Sequence, residues 1–377
     1  MQSSDSAVKA RIGTTLAGKY TLTRLLGQGG MGAVFEGINT WTERKVAIKL
    51  MLTGAGTVDP ELGQRFMREA RAATKIAHEN IVQILDMGQD PADGALFIVQ
   101  EFLAGTDLRH VIDQRGAISP KEAVEILAPV MSALIAAHKH GIVHRDLKPD
   151  NIFLTTSASG ATVPKLIDFG IAKMDDGAQG RGLTRTGAAM GTPHYMSPEQ
   201  ARGEKSIDAQ ADIWAIGVVL FEMLSGAMPY DGDNYNQLMV KIATEPPRLI
   251  EEVTPGISAP LAAVVQRALE RDRNARFRTM AQFLGALLDA GVDTDATWNQ
   301  TLRSTFRDVL SATPEDAAMA RTTPALAAVA APSGVEPRTT LGRTAREIDV
   351  APKSSRRWVA GGAMVLVVVG VVVGGSL

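Results

Sequence analysis

The sequence contains no cysteine, which excludes disulfides, thiolate metal sites and a cysteine nucleophile together. It also lacks a charge imbalance. Its 39 Lys and Arg residues stand against 41 Asp and Glu, a formal net charge of −2, so no global basic field attracts nucleic acid and charge has to be read locally. Residues Met1 to Gly18 are polar and carry no apolar core. That excludes a signal peptide or membrane anchor there and leads us to expect the N-terminal part in the cytoplasm. No internal repeat is visible. What is present fits a globular chain, 45% apolar and 21% charged, and 377 residues suggest about two units.

Three regimes follow one another. Residues 20–290 alternate strand-like and helix-like patterns and form the expected globular domain, after an N-terminal segment 1–19. Residues 291–357 turn to Ala, Thr, Pro, Arg and Ser, as in Thr322-Thr323-Pro324-Ala325. Such a stretch buries too little surface to offset its chain entropy and reads as a disordered linker. Residues 358–377 carry no charge and include Val365-Leu366-Val367-Val368-Val369. Twenty residues at about 1.5 Å each cross a hydrocarbon core of about 30 Å, so this is an expected transmembrane helix. Lys353, Arg356 and Arg357 precede it and by the positive-inside rule keep the globular domain in the cytoplasm, a single-pass arrangement in the cell's inner membrane. The stop at Leu377 fits either a tail anchor or a chain whose outer part is missing.

Within the globular part, strand-like Tyr20 to Leu26 runs into Gly27-Gln28-Gly29-Gly30-Met31-Gly32, a G-x-G-x-x-G also written by dinucleotide-binding folds. Here the chain continues as strand, Ala33-Val34-Phe35-Glu36, and then Val46-Ala47-Ile48-Lys49. A glycine loop between two strands is a flap whose backbone N–H groups approach triphosphate oxygens, with Val34 and Ala47 as an apolar surface for a base. Glu61 to Lys75 has helical spacing, with Leu62, Phe66, Ala70 and Ala73 on one stripe. Glu69 falls near that inward face, where an unpaired charge is costly, and an ion pair with Lys49 satisfies both groups.

Ser119-Pro120-Lys121-Glu122 is a capping box with proline at the first helical position. It opens a long helix with Ala123, Leu127, Val130, Met131, Leu134 and His138 on its apolar stripe, which Pro129 should kink. Then come His144-Arg145-Asp146-Leu147-Lys148-Pro149-Asp150-Asn151, a short strand, a second strand and Asp168-Phe169-Gly170. Phosphoryl transfer needs metal ligands, charge neutralisation and a group that orients the attacking hydroxyl. Asn151 and Asp168 are hard oxygen donors suited to Mg²⁺. Asp146 can accept a hydrogen bond from a substrate hydroxyl, and Lys148 can neutralise the transferring group.

These motifs, in this order from about Tyr20 to Leu288, resemble those of protein kinases. Gly27 to Gly32 and Gly191-Thr192-Pro193-His194-Tyr195-Met196-Ser197-Pro198-Glu199-Gln200 are most similar to the bacterial membrane-bound serine/threonine kinases of the eukaryotic-like (Hanks) type. The resemblance implies an α+β, bilobal kinase fold, with a small antiparallel-sheet lobe over about 20–103 and a mainly helical lobe over about 104–290. It implies ATP as phosphoryl donor, Mg²⁺ or Mn²⁺ as cofactor, and Ser/Thr protein substrates. Lys49 would contact the α- and β-phosphates and pair with Glu69; Asp146 would be the catalytic base. Asn151 and Asp168 would hold the metal. Glu101 to Leu103 would be the hinge reading adenine through backbone groups, with Gln100 as gatekeeper and Phe153 flooring the base. Glu199 would pair with Arg276, while Asp212, Trp214 and Gly217 match the segment that braces the catalytic loop.

The same resemblance implies regulation. Arg145, directly before Asp146, binds a phosphorylated loop residue in kinases with that pair, and Thr184 and Thr186 match the doubly phosphorylated threonines. Lys148, two after the base, is the serine/threonine form; small-molecule kinases lack the Ser197-Pro198-Glu199 region. A nucleotide-binding pseudokinase scaffold is the alternative from another class, and its usual mark, loss of Lys49, Asp146 or Asp168, is absent from the sequence. Gly370 and Gly374 form G-x-x-x-G, a spacing that lets two membrane helices approach closely, and the family also suggests dimers through the small lobe.

Overall fold

A computed structural model of the chain describes residues 8–29, 32–51, 74–157, 160–168 and 193–292, with 63, 66, 67, 70, 71 and 304 besides. These fall in the first of two units, residues 1–322. The expected transmembrane helix, and the expected linker apart from residues 291, 292 and 304, lie outside the described residues, among which no helix is long and apolar enough to cross a membrane.

The chain first builds an antiparallel sheet from β1 (Thr15–Leu16), β2 (Tyr20–Gly29), β3 (Gly32–Asn39), β4 (Lys45–Met51), β5 (Ile84–Gln89) and β6 (Leu96–Glu101), in the order β1-β2-β3-β4-β6-β5. Register assigns the faces. Val34 pairs with Lys49 and Lys49 with Ile98, while Glu36 pairs with Ala47 and Ala47 with Gln100. Alternation therefore sets Val34, Ala47 and Lys49 on one face and sends Phe35, Ile48, Leu50 and Val99 into the core on the other. Val8 and Leu16 belong to that same core, with Tyr20 and Leu22, so packing begins ahead of Tyr20. Phe66 and Ala70, on the described turns of the expected helix, are buried against Ile98 and Leu96.

Helices dominate the rest. Asp107 caps α1 (Leu108–Arg115), accepting from the His110 N–H. Ser119 caps α2 (Pro120–Lys139), as its sequence foretells, and α2 runs on through Pro129 without a break. Its flanking residues, Ala128 and Val130, are fully buried, and packing outweighs the hydrogen bond that proline cannot donate. A small sheet, β7 (Gly105–Asp107), β8 (Ile152–Thr156) and β9 (Thr162–Leu166), follows the order β7-β8-β9. Next come α3 (Pro198–Ala201), α4 (Gln210–Ser225), α5 (Tyr235–Thr244), α6 (Ile250–Val253), α7 (Ala259–Ala268) and α8 (Met280–Asp289).

Helix α4 is buried almost all round, including Trp214 and Phe221, the pattern of a core helix rather than a surface one. Gly217 lies where α4 and α7 meet most closely: a Cβ there would sit 2.8 Å from that of Ala268. A side chain there would push α7 away from the helix that carries Asp212.

Candidate active site

Strand β4, the end of β9 and the loop after α2 place five polar side chains together. Lys49 Nζ lies 2.7 Å from Asp168 Oδ1, and Lys148 Nζ lies 3.8 Å from Asp146 Oδ2. Asn151 Nδ2 donates to the Asp146 carbonyl at 2.7 Å, which fixes the orientation of the amide and turns Oδ1 outward from that bond. Asp168 itself adopts φ 53°, the left-handed region that a residue other than glycine rarely occupies. Such strain persists where surroundings enforce it. The Ile167 N–H bonds to the Asn151 carbonyl at 3.0 Å, and the Leu166 N–H to that of Asn80 at 2.8 Å. The backbone is therefore tied at Asn151 itself and at the two residues just before Asp168.

A buried frame holds the catalytic loop from below. Asp212, at the start of α4, accepts from the His144 N–H through Oδ2 and from the Arg145 N–H through Oδ1, each at 2.9 Å. His138 Nε2 donates to Oδ2 at 2.7 Å. Burial alone would raise the Asp212 carboxyl; the hydrogen bond from His138 and the neighbouring donors outweigh it and hold the group below the usual carboxylate range. The sequence pattern puts His138 on an apolar stripe. The structure corrects that to a polar partner reaching the same brace. Arg145 has φ 64° and donates from Nη2 to the Ile207 carbonyl at 3.1 Å, while its Nε is buried with no partner among the described residues.

His144 is fully buried. Its Nδ1 accepts from the Asp146 N–H at 3.4 Å, which makes Nε2 the protonated nitrogen, donating to the Ile167 carbonyl at 3.2 Å. Burial pushes its pKa below the ordinary value, so a neutral ring stitches the Asp146 loop to the Asp168 turn.

Above this floor, Gly27, Gln28, Gly29 and Gly32 fall on the β2–β3 hairpin. A Cβ at Gly32 would stand 2.2 Å from the Leu50 carbonyl oxygen, whereas Gly27 and Gly29 have open space. The fold alone demands the third glycine; the first two leave room for something to approach. Gly30 and Met31 lie outside the described residues, as do Glu69, Phe169, Thr184, Thr186 and Thr192. Among the described residues the carboxylate that Lys49 meets is that of Asp168.

At the far edge, the Glu101 N–H bonds to the Gln83 carbonyl at 3.0 Å, which takes that donor away from any ligand. The Glu101 side chain accepts from Lys165 Nζ at 2.6 Å and from the Gln83 N–H at 2.9 Å, a tie between the two sheets that the sequence does not announce. Leu103, two residues on, is half-buried and its N–H has no protein acceptor among the described residues. Phe153 pairs with Lys165 and Asp107 in the small sheet, facing away from Leu154, which packs on the helical core. The expected Glu199 to Arg276 pair is present and buried, with contacts of 3.0 and 3.3 Å.

A two-lobed fold with a glycine hairpin over a lysine, and two acidic residues and an asparagine beneath, defines a protein kinase domain. The sequence model of the protein kinase domain matches residues 20–287, and the chain belongs to that family, in its bacterial serine/threonine branch. It is 39% identical over 264 residues to the serine/threonine-protein kinase pkn3 of Myxococcus xanthus, covering 69% of this chain and 48% of that protein. It is 38% identical over 275 residues to the serine/threonine-protein kinase PknB of Mycobacterium tuberculosis, covering 72% and 43%. The chain thus spans about half or less of the curated relatives it matches. Among solved structures, the PknI kinase domain of Mycobacterium tuberculosis superposes with a TM-score of 0.57 at 30% identity, covering 74% of this chain and 99% of that one. Rad53 1-466 in complex with AMP-PNP gives 0.57 at 26% identity, covering 71% and 64%.

Proposed function

We propose that this chain is an active serine/threonine protein kinase that transfers the γ-phosphate of ATP to protein hydroxyls. The observation that carries the reading is the cluster of Lys49, Asp146, Lys148, Asn151 and Asp168, with Lys49 2.7 Å from Asp168 and Lys148 3.8 Å from Asp146. Gly27, Gln28, Gly29, Gly30, Met31 and Gly32 would cover the phosphates and Lys49 would neutralise them. Val34, Ala47 and Phe153 would enclose the base, and the Glu101 carbonyl and Leu103 N–H would read its edge. Asp146 would accept the hydrogen bond of the acceptor hydroxyl and orient it in line. Lys148 would offset charge on the moving phosphoryl group.

Asn151 Oδ1 and the Asp168 carboxylate fit a Mg²⁺ or Mn²⁺ ion, being hard oxygen donors held in place by the surrounding backbone ties. No group of three or more His, Asp or Glu that could hold a metal occurs among the described residues, so phosphate oxygens and water would complete the shell. The ion's contribution is neutralisation of triphosphate charge. The wider reading rests on sequence: residues 358–377 as a single inner-membrane span with the kinase domain in the cytoplasm, homodimers, and phosphorylation of Thr184 and Thr186 read by Arg145.

Incubation of the chain with labelled ATP, Mg²⁺ and a serine/threonine-containing protein tests the activity. Label on Ser and Thr, lost in Lys49→Met with folding intact, is the expected result. Equal labelling by wild type and variant would overturn the assignment.

A further inference from the structure

On the helical lobe a cleft of about 520 Å³ is lined by Glu199, Arg202, Glu204, Arg271, Asp272, Arg273 and Asn274. None of these groups takes part in the phosphoryl-transfer cluster. Two of its arginines are pinned by one acceptor: Arg202 Nη2 and Arg271 Nη2 both donate to the Ala243 carbonyl, at 3.0 and 2.9 Å, at the C-terminal end of α5. Arg273 Nη2 is held by the Ser206 carbonyl at 3.1 Å. Each of the three guanidiniums is thereby held by a backbone carbonyl, with carboxylates no nearer than 3.5 Å, and the Nε atoms of Arg271 and Arg273 are buried without a hydrogen-bond partner among the described residues. Buried N–H groups in that condition call for an acceptor.

The acidic residues of the cleft do not supply one well. Glu199 is committed to Arg276 by two hydrogen bonds and stands 3.5 Å from Arg273 Nε without bonding it. Asp272 is spent on its own turn, accepting from the Asn274 N–H at 2.9 Å. Glu204 sits loosely, 3.5 Å from Arg202 and 4.0 Å from Arg273, with its side chain 40% exposed. Ion pairs of that length and exposure contribute little. If Glu204 swings out, Arg202, Arg271 and Arg273 face Asp272 with Glu199 already neutralised by Arg276. The surplus of two positive charges matches a phosphomonoester at pH 7, about −1.5 to −2. A tetrahedral dianion can accept from several guanidinium forks at once, whereas a planar carboxylate suits a single fork.

We propose that this cleft is an anion-docking site that takes the phosphate of a phosphorylated serine or threonine on a protein segment, displacing Glu204. Its volume accommodates the side chain with flanking backbone, and its lining is distinct from the residues expected to bind ATP.

The test is a nucleotide-free titration of the full chain carrying Asp146→Asn, so that the chain brings no phosphate of its own making. The probes are an alanine-based pentapeptide with central phosphothreonine, the same peptide with threonine, and inorganic phosphate. The phosphopeptide should bind and the unmodified peptide should not. Arg202→Gln with Arg273→Gln should weaken binding by about tenfold or more, as loss of charge-assisted hydrogen bonds implies. Glu204→Gln should tighten it, an opposite effect that no general loss of folding can mimic. Phosphopeptide affinity unmoved by all three substitutions, or absent altogether, would overturn the site. Inorganic phosphate binding as tightly as the phosphopeptide would overturn the protein segment as its occupant. Because no nucleotide is present, failure here leaves the kinase reading untouched.

Discussion

One carboxylate sets the shape of the catalytic loop. Asp212 accepts two backbone N–H bonds at 2.9 Å and one from His138 at 2.7 Å, and those two N–H groups belong to the residues just before Asp146. A carboxylate can satisfy both backbone donors with separate oxygens; an amide has one acceptor and would set an N–H against the other donor. Asp212→Asn is therefore expected to shift Asp146 rather than to empty the nucleotide site. Misplacement on the scale of 1 Å costs on the order of 100-fold in rate. The prediction is a kcat loss of that order with the KM for ATP little changed, read by steady-state kinetics; a selective rise in KM would contradict a positioning role. The sequence displays Asp212 but not its partner, because a histidine at helical spacing looks like any other residue of an apolar stripe. Likewise Lys49 advertises a need for a carboxylate, and only the fold reveals that Asp168, over a hundred positions away, stands 2.7 Å from it.

At the scale of elements, local rules carried most of the reading. The Ser119 cap, the α2 stripe and the glycine hairpin depend on neighbours within a few residues, so they were legible. That α2 continues through Pro129 was not, since a buried helix is held together by packing contributed by distant elements. The same holds for Arg109, which bonds Glu222 on α4 at 2.8 Å and meets the Tyr195 hydroxyl, itself 2.6 Å from Glu222. Burial and the neighbouring Glu222 push the tyrosine's pKa well up, keeping it a neutral donor. Short helix α3 is anchored through another such long-range pair. Glu199 on α3 and Arg276 are 1% and 0% exposed, and an arginine stripped of its carboxylate would remain as a buried charge. Glu199→Gln should lower unfolding stability by about 3–5 kcal/mol, measured by urea denaturation; a change within experimental scatter would show the pair to be dispensable.

For the described domain as a whole, three histidines away from bulk water share one sign. His78, His144 and His194 are held below the ordinary histidine value of 6.5, each mainly by burial. The unfolded chain therefore takes up protons that the folded one refuses, and stability falls as pH drops below about 6.5. Asp212 and Glu199 are depressed by hydrogen bonds from His138 and Arg276 in spite of burial. Their contribution is present above the unfolded values of 3.8 and 4.5 and is lost as pH falls through the lower folded values. Urea midpoints should decline between pH 7 and pH 5 and again below pH 4.5; a flat profile across the first interval would contradict the neutral, buried histidines.

The proposed division of labour gives Asp146 the acceptor hydroxyl of a protein, and Lys49 with its neighbours the nucleotide. Single-turnover phosphoryl transfer in Asp146→Asn, set beside ATP affinity in the same preparation, separates the two roles. A positioned general base contributes about 10² to 10⁴ in rate, so transfer should fall by at least that lower figure while ATP still binds as in wild type. Undiminished transfer, or collapse of ATP binding, would contradict the account.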